Sequence, residues 1–185
     1  MNSLLHLAAE LQDFLNEYGW RFCFIGGVAL QRWGEPRLTR DVDISLLTGL
    51  GNEATYIDPL LARYEPRFPE ARAFATSKRV LLLQSQDQIP IDISLAAFPL
   101  EQGIIDRASD YEYIPGIVLR TCSAEDLIVM KAIADRTRDW GDIEGVVLRQ
   151  GKSLKWEQII TDLTPLCELN ESPDILDKLN RLRER

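Results

Sequence analysis

Two stretches decide how this chain is read: Phe24-Ile25-Gly26-Gly27-Val28-Ala29-Leu30, and Asp41-Val42-Asp43-Ile44-Ser45 soon after it. An apolar run that ends in two glycines does nothing for a core, and neither do two carboxylates one residue apart. Gly26-Gly27 lets backbone approach another group with no Cβ in the way. A helix starting at Val28 then offers free N–H groups and a positive dipole end to a phosphate. An ordinary strand-to-helix turn would read the same way. The spacing is neither that of a Walker A loop nor that of a dinucleotide-binding fingerprint.

Working outward, Asp41 to Leu46 alternates without a break. Asp41, Asp43 and Ser45 face one side; Val42, Ile44 and Leu46 face the other. Pro90 to Leu95 alternates again, with Asp92 and Ser94 opposite Ile91, Ile93 and Leu95. If the two strands are neighbours, three carboxylates converge on one polar sheet face. Like charges that close disfavour one another's ionisation. A divalent cation reverses that cost, and hard oxygen donors suit Mg²⁺, or Mn²⁺. Such a triad is expected of phosphoryl-type transfer. For Asp-x-Asp taken alone, a solvated strand face is the plain alternative.

The remaining elements follow from periodicity and punctuation. Ser3 is expected to cap a helix carrying Leu4, Leu7, Ala8, Leu11, Phe14, Leu15 and Tyr18, stopping at Gly19. Trp20 to Ile25 reads as a strand and Val28 to Trp33 as a short helix. Residues 52 to 64 read as a helix, and Val80 to Gln84 as a buried strand turning back through Gln86-Asp87-Gln88. After Pro115-Gly116, Ser123 caps a helix to about Arg138. Asp139 to Arg149 continues it or forms a second one. Lys155 to Leu163 and Pro173 to Arg185 complete a helical end, frayed over its last residues. The expected class is α+β: a core over residues 1–120 and a helical part over 121–185.

Composition narrows the chemistry. With 21 basic against 29 acidic residues the 185-residue chain carries a formal charge of −8, which argues against a broad nucleic-acid-binding face. Cys23, Cys122 and Cys167 are far apart and odd in number, so a disulfide framework or zinc site is not expected and a reducing, cytoplasmic setting fits. A single histidine, His6, removes most Ser-His, Cys-His and multi-histidine metal mechanisms. Neither a signal peptide nor a membrane span is expected.

Lys131 shares a helical stripe with Ala124, Leu127, Ile128 and Ala134. A lysine there either snorkels to water or delivers its ammonium to phosphate oxygens. Asp139, about two turns on, either sits beside it or belongs to an exposed cluster with Arg136, Arg138 and Asp142.

Together, Ile25-Gly26-Gly27-Val28-Ala29-Leu30, Gly34, Arg37, Thr39 and Asp41-Val42-Asp43 resemble the first motif of the DNA polymerase beta-type nucleotidyltransferase superfamily. The resemblance is greatest to its minimal bacterial members, the AbiEii-type nucleotidyltransferases of toxin–antitoxin and abortive-infection systems. Ser123-Ala124-Glu125-Asp126-Leu127 with Lys131, then Arg138-Asp139 and Asp142-Ile143, is similar to that group's lysine and aspartate motifs. The likeness covers roughly Phe22 to Gly151. It implies a nucleotidyltransferase fold: a small mixed β-sheet flanked by helices, with a helical C-terminal part completing the cleft. It implies that Asp41, Asp43 and Asp92 are catalytic and hold Mg²⁺ or Mn²⁺, with Asp92 placed to activate the attacking group. By the same likeness Gly26, Gly27, Arg37, Thr39, Lys131 and Asp139 bind the nucleotide. Two features depart from the pattern. Many members carry Gly-Ser at Gly26-Gly27, and many AbiEii-type proteins are longer, so reduced substrate-recognition parts are expected.

The function so implied is transfer of a nucleotidyl group from a nucleoside triphosphate to an RNA 3′ end such as that of tRNA, a protein hydroxyl or a small molecule such as an aminoglycoside. A toxin role with an antitoxin partner goes with it. The acidic total disfavours RNA, although Arg37, Arg40, Lys78 and Arg79 could form a local positive rim. The alternative is a catalytically silent nucleotide-binding or partner-binding module of the same fold. A metal-dependent phosphohydrolase using the same acids is a third reading; it would release free phosphate rather than pyrophosphate.

Overall fold

A computed structural model describes residues 2–184. The chain forms two compact units, and the division falls inside a helix. One unit holds the residues up to Val28 together with Leu38–Cys122; the other holds Ala29–Arg37 and the residues from Ser123 onward.

The first unit is built on a seven-stranded mixed sheet. Its strands are β1 (Phe22–Phe24), β2 (Val42–Leu47), β3 (Glu65–Pro66), β4 (Val80–Gln84), β5 (Pro90–Ala96), β6 (Ser109–Ile114) and β7 (Ile117–Thr121), in the order β3-β4-β5-β2-β1-β7-β6. β2 and β5 run parallel, as do β1 and β7; the other neighbours are antiparallel. Helices α1 (Asn2–Glu17), α3 (Glu53–Arg63), α4 (Ala71–Lys78) and α5 (Pro99–Asp106) belong to the same unit, as does the start of α2 (Gly26–Trp33).

Period 2 and period 3.6 meet on one face of this sheet. Val42, Ile44, Leu46, Leu81, Leu83, Ile91 and Ile93 are fully buried, and they form one cluster with Leu4, Leu7, Ala8, Leu11 and Leu15 of α1. Each such aliphatic side chain contributes roughly 1.5–3 kcal/mol by leaving water. The opposite face of β2 and β5 is thereby left to Asp43, Ser45, Asp92 and Ser94.

The second unit is helical: the end of α2, α6 (Ala124–Ala134), α7 (Thr137–Gln150), a 3-10 turn over Gly151–Ser153, α8 (Trp156–Leu169) and α9 (Asp174–Arg183). Ser123 caps α6 as expected, its Oγ accepting from Asp126 N at 3.1 Å. Among the described residues no helix is long and apolar enough to cross a membrane.

Several expectations need correction. α1 already includes Asn2, so Ser3 lies inside the helix rather than capping it. Gly26 and Gly27 form the first turn of α2 rather than preceding it. Asp41 sits one residue before β2, because the chain bends there. α4, α5, β3 and the β6–β7 hairpin were not anticipated. The helix from Ser123 stops at Ala134, where Asp135 takes φ +48° and breaks the ladder, so α7 is a second helix. α8 continues past Leu163 to Leu169 in spite of Pro165, because buried Leu163 and Cys167 anchor both sides of it. The expected end at Arg185 lies outside the described residues.

Candidate active site

β1 leads into the glycine bend, and its partner β2 follows the backbone one step further: Ile25 N donates to Asp43 O at 3.0 Å. Gly26 then adopts φ +56°, a conformation that disfavours any residue with a Cβ. A Cβ there would stand 2.7 Å from Asp43 Cγ, and one on Gly27 would stand 2.7 Å from Thr39 Cβ. The two glycines therefore make room first for this chain's own side chains. Gly27 N points at Asp43 Oδ2, 3.4 Å away, so the carboxylate lies against the positive end of α2. Thr39, buried, donates from Oγ1 to Asp41 Oδ1 at 3.0 Å and orients that acid.

Parallel pairing of β2 and β5 puts Asp43 opposite Asp92, with Ser45 opposite Ser94. Asp41, Asp43 and Asp92 are all partly exposed. Burial pushes the Asp92 carboxyl up from the ordinary carboxylate value; the Arg67 guanidinium opposes this, and the negative charge of Asp41 adds to it. Asp41 thus lies within electrostatic reach of Asp92. Yet among the described residues no three His, Cys, Asp or Glu side chains are gathered closely enough to hold a metal ion. The acids share a face without closing into a ligand set, and Arg67 forms an ion pair with Asp92. The donor chemistry still fits a hard divalent cation: oxygen donors only, partly desolvated, and repelling one another.

Lys131, Asp139 and Arg37 lie in the second unit and form one cluster with Asp142 and Arg136. Lys131 Nζ donates to Asp139 Oδ1 at 2.8 Å and to Asp142 Oδ2 at 2.6 Å. Arg37 grips Asp142 with two bonds, Nε to Oδ1 at 2.8 Å and Nη2 to Oδ2 at 2.9 Å. Arg136 Nε donates to Asp139 Oδ2 at 2.6 Å. Burial pushes both carboxyls up, but the hydrogen bonds outweigh it and hold them below the ordinary range: Lys131 and Arg136 for Asp139, Arg37 and Lys131 for Asp142. Asp139 is 1% exposed, so the exposed-cluster alternative is excluded for it. Lys131, Arg37 and Arg136 thus share the Asp139 and Asp142 carboxylates.

The family model described as "Nucleotidyl transferase AbiEii toxin, Type IV TA system" matches residues 11–146. The chain belongs to that family. It is therefore a nucleotidyltransferase, and the AbiEii match spans both the glycine bend and the Lys131 cluster. No curated protein sequence matches this AbiEii-family chain.

Three solved structures share its fold at low identity. ANT(2″)-Ia in complex with adenylyl-2″-tobramycin aligns with TM-score 0.60 and 16% identity over 91% of this chain and 99% of that one. An antigenic nucleotidyltransferase-like protein from Paracoccidioides brasiliensis aligns with TM-score 0.53 and 14% identity, over 97% and 93%. The lincosamide antibiotic adenylyltransferase LnuA, lincomycin-bound, aligns with TM-score 0.51 and 15% identity, over 74% and 92%.

Two residues escaped the sequence reading of this AbiEii-family site. Asp142 was named in a motif without a role, and it is the shared acceptor of Lys131 and Arg37. Arg67 carried no signal at all. Its place beside Asp92 depends on a two-residue strand that no periodicity marks.

Proposed function

We propose that this AbiEii-family enzyme transfers a nucleotidyl group from a nucleoside triphosphate to an acceptor hydroxyl, using Asp41, Asp43 and Asp92 with Mg²⁺ or Mn²⁺. The observation that carries the reading is the Asp43–Asp92 pairing across parallel strands, with Asp41 in electrostatic reach. Magnesium, when bound, supplies charge neutralisation on the triphosphate oxygens and orients the α-phosphorus.

The chain's own residues do the rest. Asp41 and Asp43 are the cation ligands, the first oriented by Thr39 Oγ1 and the second held at the start of α2. Asp92 takes the proton of the acceptor hydroxyl as its oxygen bonds to the α-phosphorus. The bond to the bridging oxygen breaks, and pyrophosphate leaves. Gly26 and Gly27 leave room for Asp43 and Thr39 to pack against the start of α2. Lys131, Arg37 and Asp139 are assigned to nucleotide binding, a role supported by the cationic Lys131 and Arg37 side chains of their cluster.

The two antibiotic-modifying neighbours favour a small-molecule hydroxyl as acceptor, and the acidic total disfavours RNA. The family name supports a toxin role with a separate antitoxin. Three buried cysteines outside any disulfide support a reducing, cytoplasmic setting.

The test is incubation with α-labelled and, separately, γ-labelled triphosphates plus magnesium. The acceptors offered are tobramycin, lincomycin, total tRNA and the chain itself. Transfer of the α-label with release of γ-labelled pyrophosphate supports the reading and identifies the acceptor class. Free phosphate instead points to hydrolysis, and nucleotide binding without turnover points to a silent module.

A further inference from the structure

Arg67 follows the short strand β3 and extends its ladder: Arg67 N donates to Leu82 O at 3.1 Å, beyond the Glu65–Gln84 and Pro66–Leu83 pairs. Leu82 is opposite Asp92, and Asp92 is opposite Asp43. Asp43, Asp92, Leu82 and Arg67 therefore stand in one cross-strand row, and in-register neighbours project to one sheet face. From the far end of that row the Arg67 guanidinium reaches past the Leu82 position and pairs with Asp92.

This contact has an occupant's geometry. Arg67 pairs with the same Asp92 carboxylate that the reading above assigns to the metal. Its two side chains are 30% and 33% exposed, so water screens the pair and its rupture is inexpensive. The acids meanwhile do not close into a ligand set. A guanidinium is also a fork that matches phosphate oxygens two at a time.

We infer that Arg67 is a placeholder cation. It neutralises Asp92 in the ligand-free enzyme, yields it when a divalent cation and triphosphate arrive, and then pairs with phosphate oxygens of the nucleotide. The inference rests on the metal-dependent reading proposed above and adds to it a residue that competes with the metal and assists the nucleotide. Two opposite effects follow from one side chain. Without nucleotide Arg67 weakens cation binding; with nucleotide it strengthens substrate binding.

The test measures Mn²⁺ binding by calorimetry, with no nucleotide present, for the full chain, Arg67→Gln, Arg67→Lys and Arg67→Gln/Asp92→Asn, each checked for the wild-type melting transition. Arg67→Gln is expected to bind Mn²⁺ roughly twofold to fivefold more tightly than wild type, the range set by a one-third-exposed ion pair. The gain disappears in the Asp92→Asn background, and Arg67→Lys stays near wild type. In the same set, KM for the triphosphate rises in Arg67→Gln and recovers in part in Arg67→Lys. A merely structural arginine would lower Mn²⁺ affinity or leave it alone. Equal Mn²⁺ binding by wild type and Arg67→Gln, or a gain that survives Asp92→Asn, overturns the inference while leaving the metal-dependent reading standing. No Mn²⁺ binding by any of the four overturns both.

Discussion

Asp43 and Asp92 stand opposite one another in the parallel β2–β5 pair, although they are 49 residues apart in the chain. Two half-buried carboxylates that close repel each other, and a sheet bears that cost only where something of opposite charge is to be held. Here the compensation comes from the α2 N-terminus for Asp43 and from Arg67 for Asp92.

Asp43→Asn is expected to abolish metal-dependent transfer, on the order of 100-fold or more, since metal contributions to transition-state charge run to several kcal/mol. The fold should be as stable as wild type or more so, because a like charge is removed from the row. Thermal melts with and without magnesium check this. The wild type should gain stability from the ion and the variant should not; equal gains would show that Asp43 is no ligand.

Gly26→Ala and Gly19→Ala separate strain from collision. Both glycines have positive φ, +56° and +65°, but only Gly26 would drive its new Cβ into Asp43. Gly19→Ala should cost roughly 1–2 kcal/mol, the usual penalty of a left-handed alanine. Gly26→Ala should cost more and displace Asp43, so it should lose activity as well as stability. Urea unfolding of the two variants gives the comparison.

Lys131→Met leaves two buried carboxylates with one cation fewer. Breaking a buried ion pair by removing one partner costs about 3–5 kcal/mol, and the arginines that remain place this case at the lower end. The pH dependence has a definite sign. Asp139 and Asp142 are held below the ordinary carboxylate value of 3.8, so their contribution is present above that pH and is lost as pH falls through the depressed values. The stability gap between wild type and Lys131→Met should be widest near neutrality and narrow below about pH 4. A gap that stays constant across that range would mean the cluster contributes packing rather than charge.

Much of the sheet was legible because period 2 is a strong signal where one face is buried. Asp41 to Ser45 and Ile91 to Leu95 alternate between polar side chains, Asp or Ser, and buried aliphatics, which sets their orientation before any partner is known. The β6–β7 hairpin was less legible because β6, Ser-Asp-Tyr-Glu-Tyr-Ile, is an edge strand exposed over its first four residues, and only Tyr113 and Ile114 pack against the core.

The Lys131–Asp139 contact was one of two readings the sequence left open. Eight residues of continuous helix would hold the two about 12 Å apart along the axis; the chain instead breaks at Asp135, and the contact crosses from α6 to α7. Arg67 and Asp92 are 25 residues apart, and Arg37 and Asp142 are 105 apart. Such pairings depend on strand order and helix packing, which no local pattern encodes.

The most direct measurement is a crystal structure with Mn²⁺ and a triphosphate whose α,β-bridge is non-hydrolysable, read in an anomalous difference map. The account predicts a manganese peak ligated by Asp41 and Asp43, within reach of Asp92, and in contact with the triphosphate. A nucleotide bound with no peak at these acids, or with its metal held elsewhere, would contradict it.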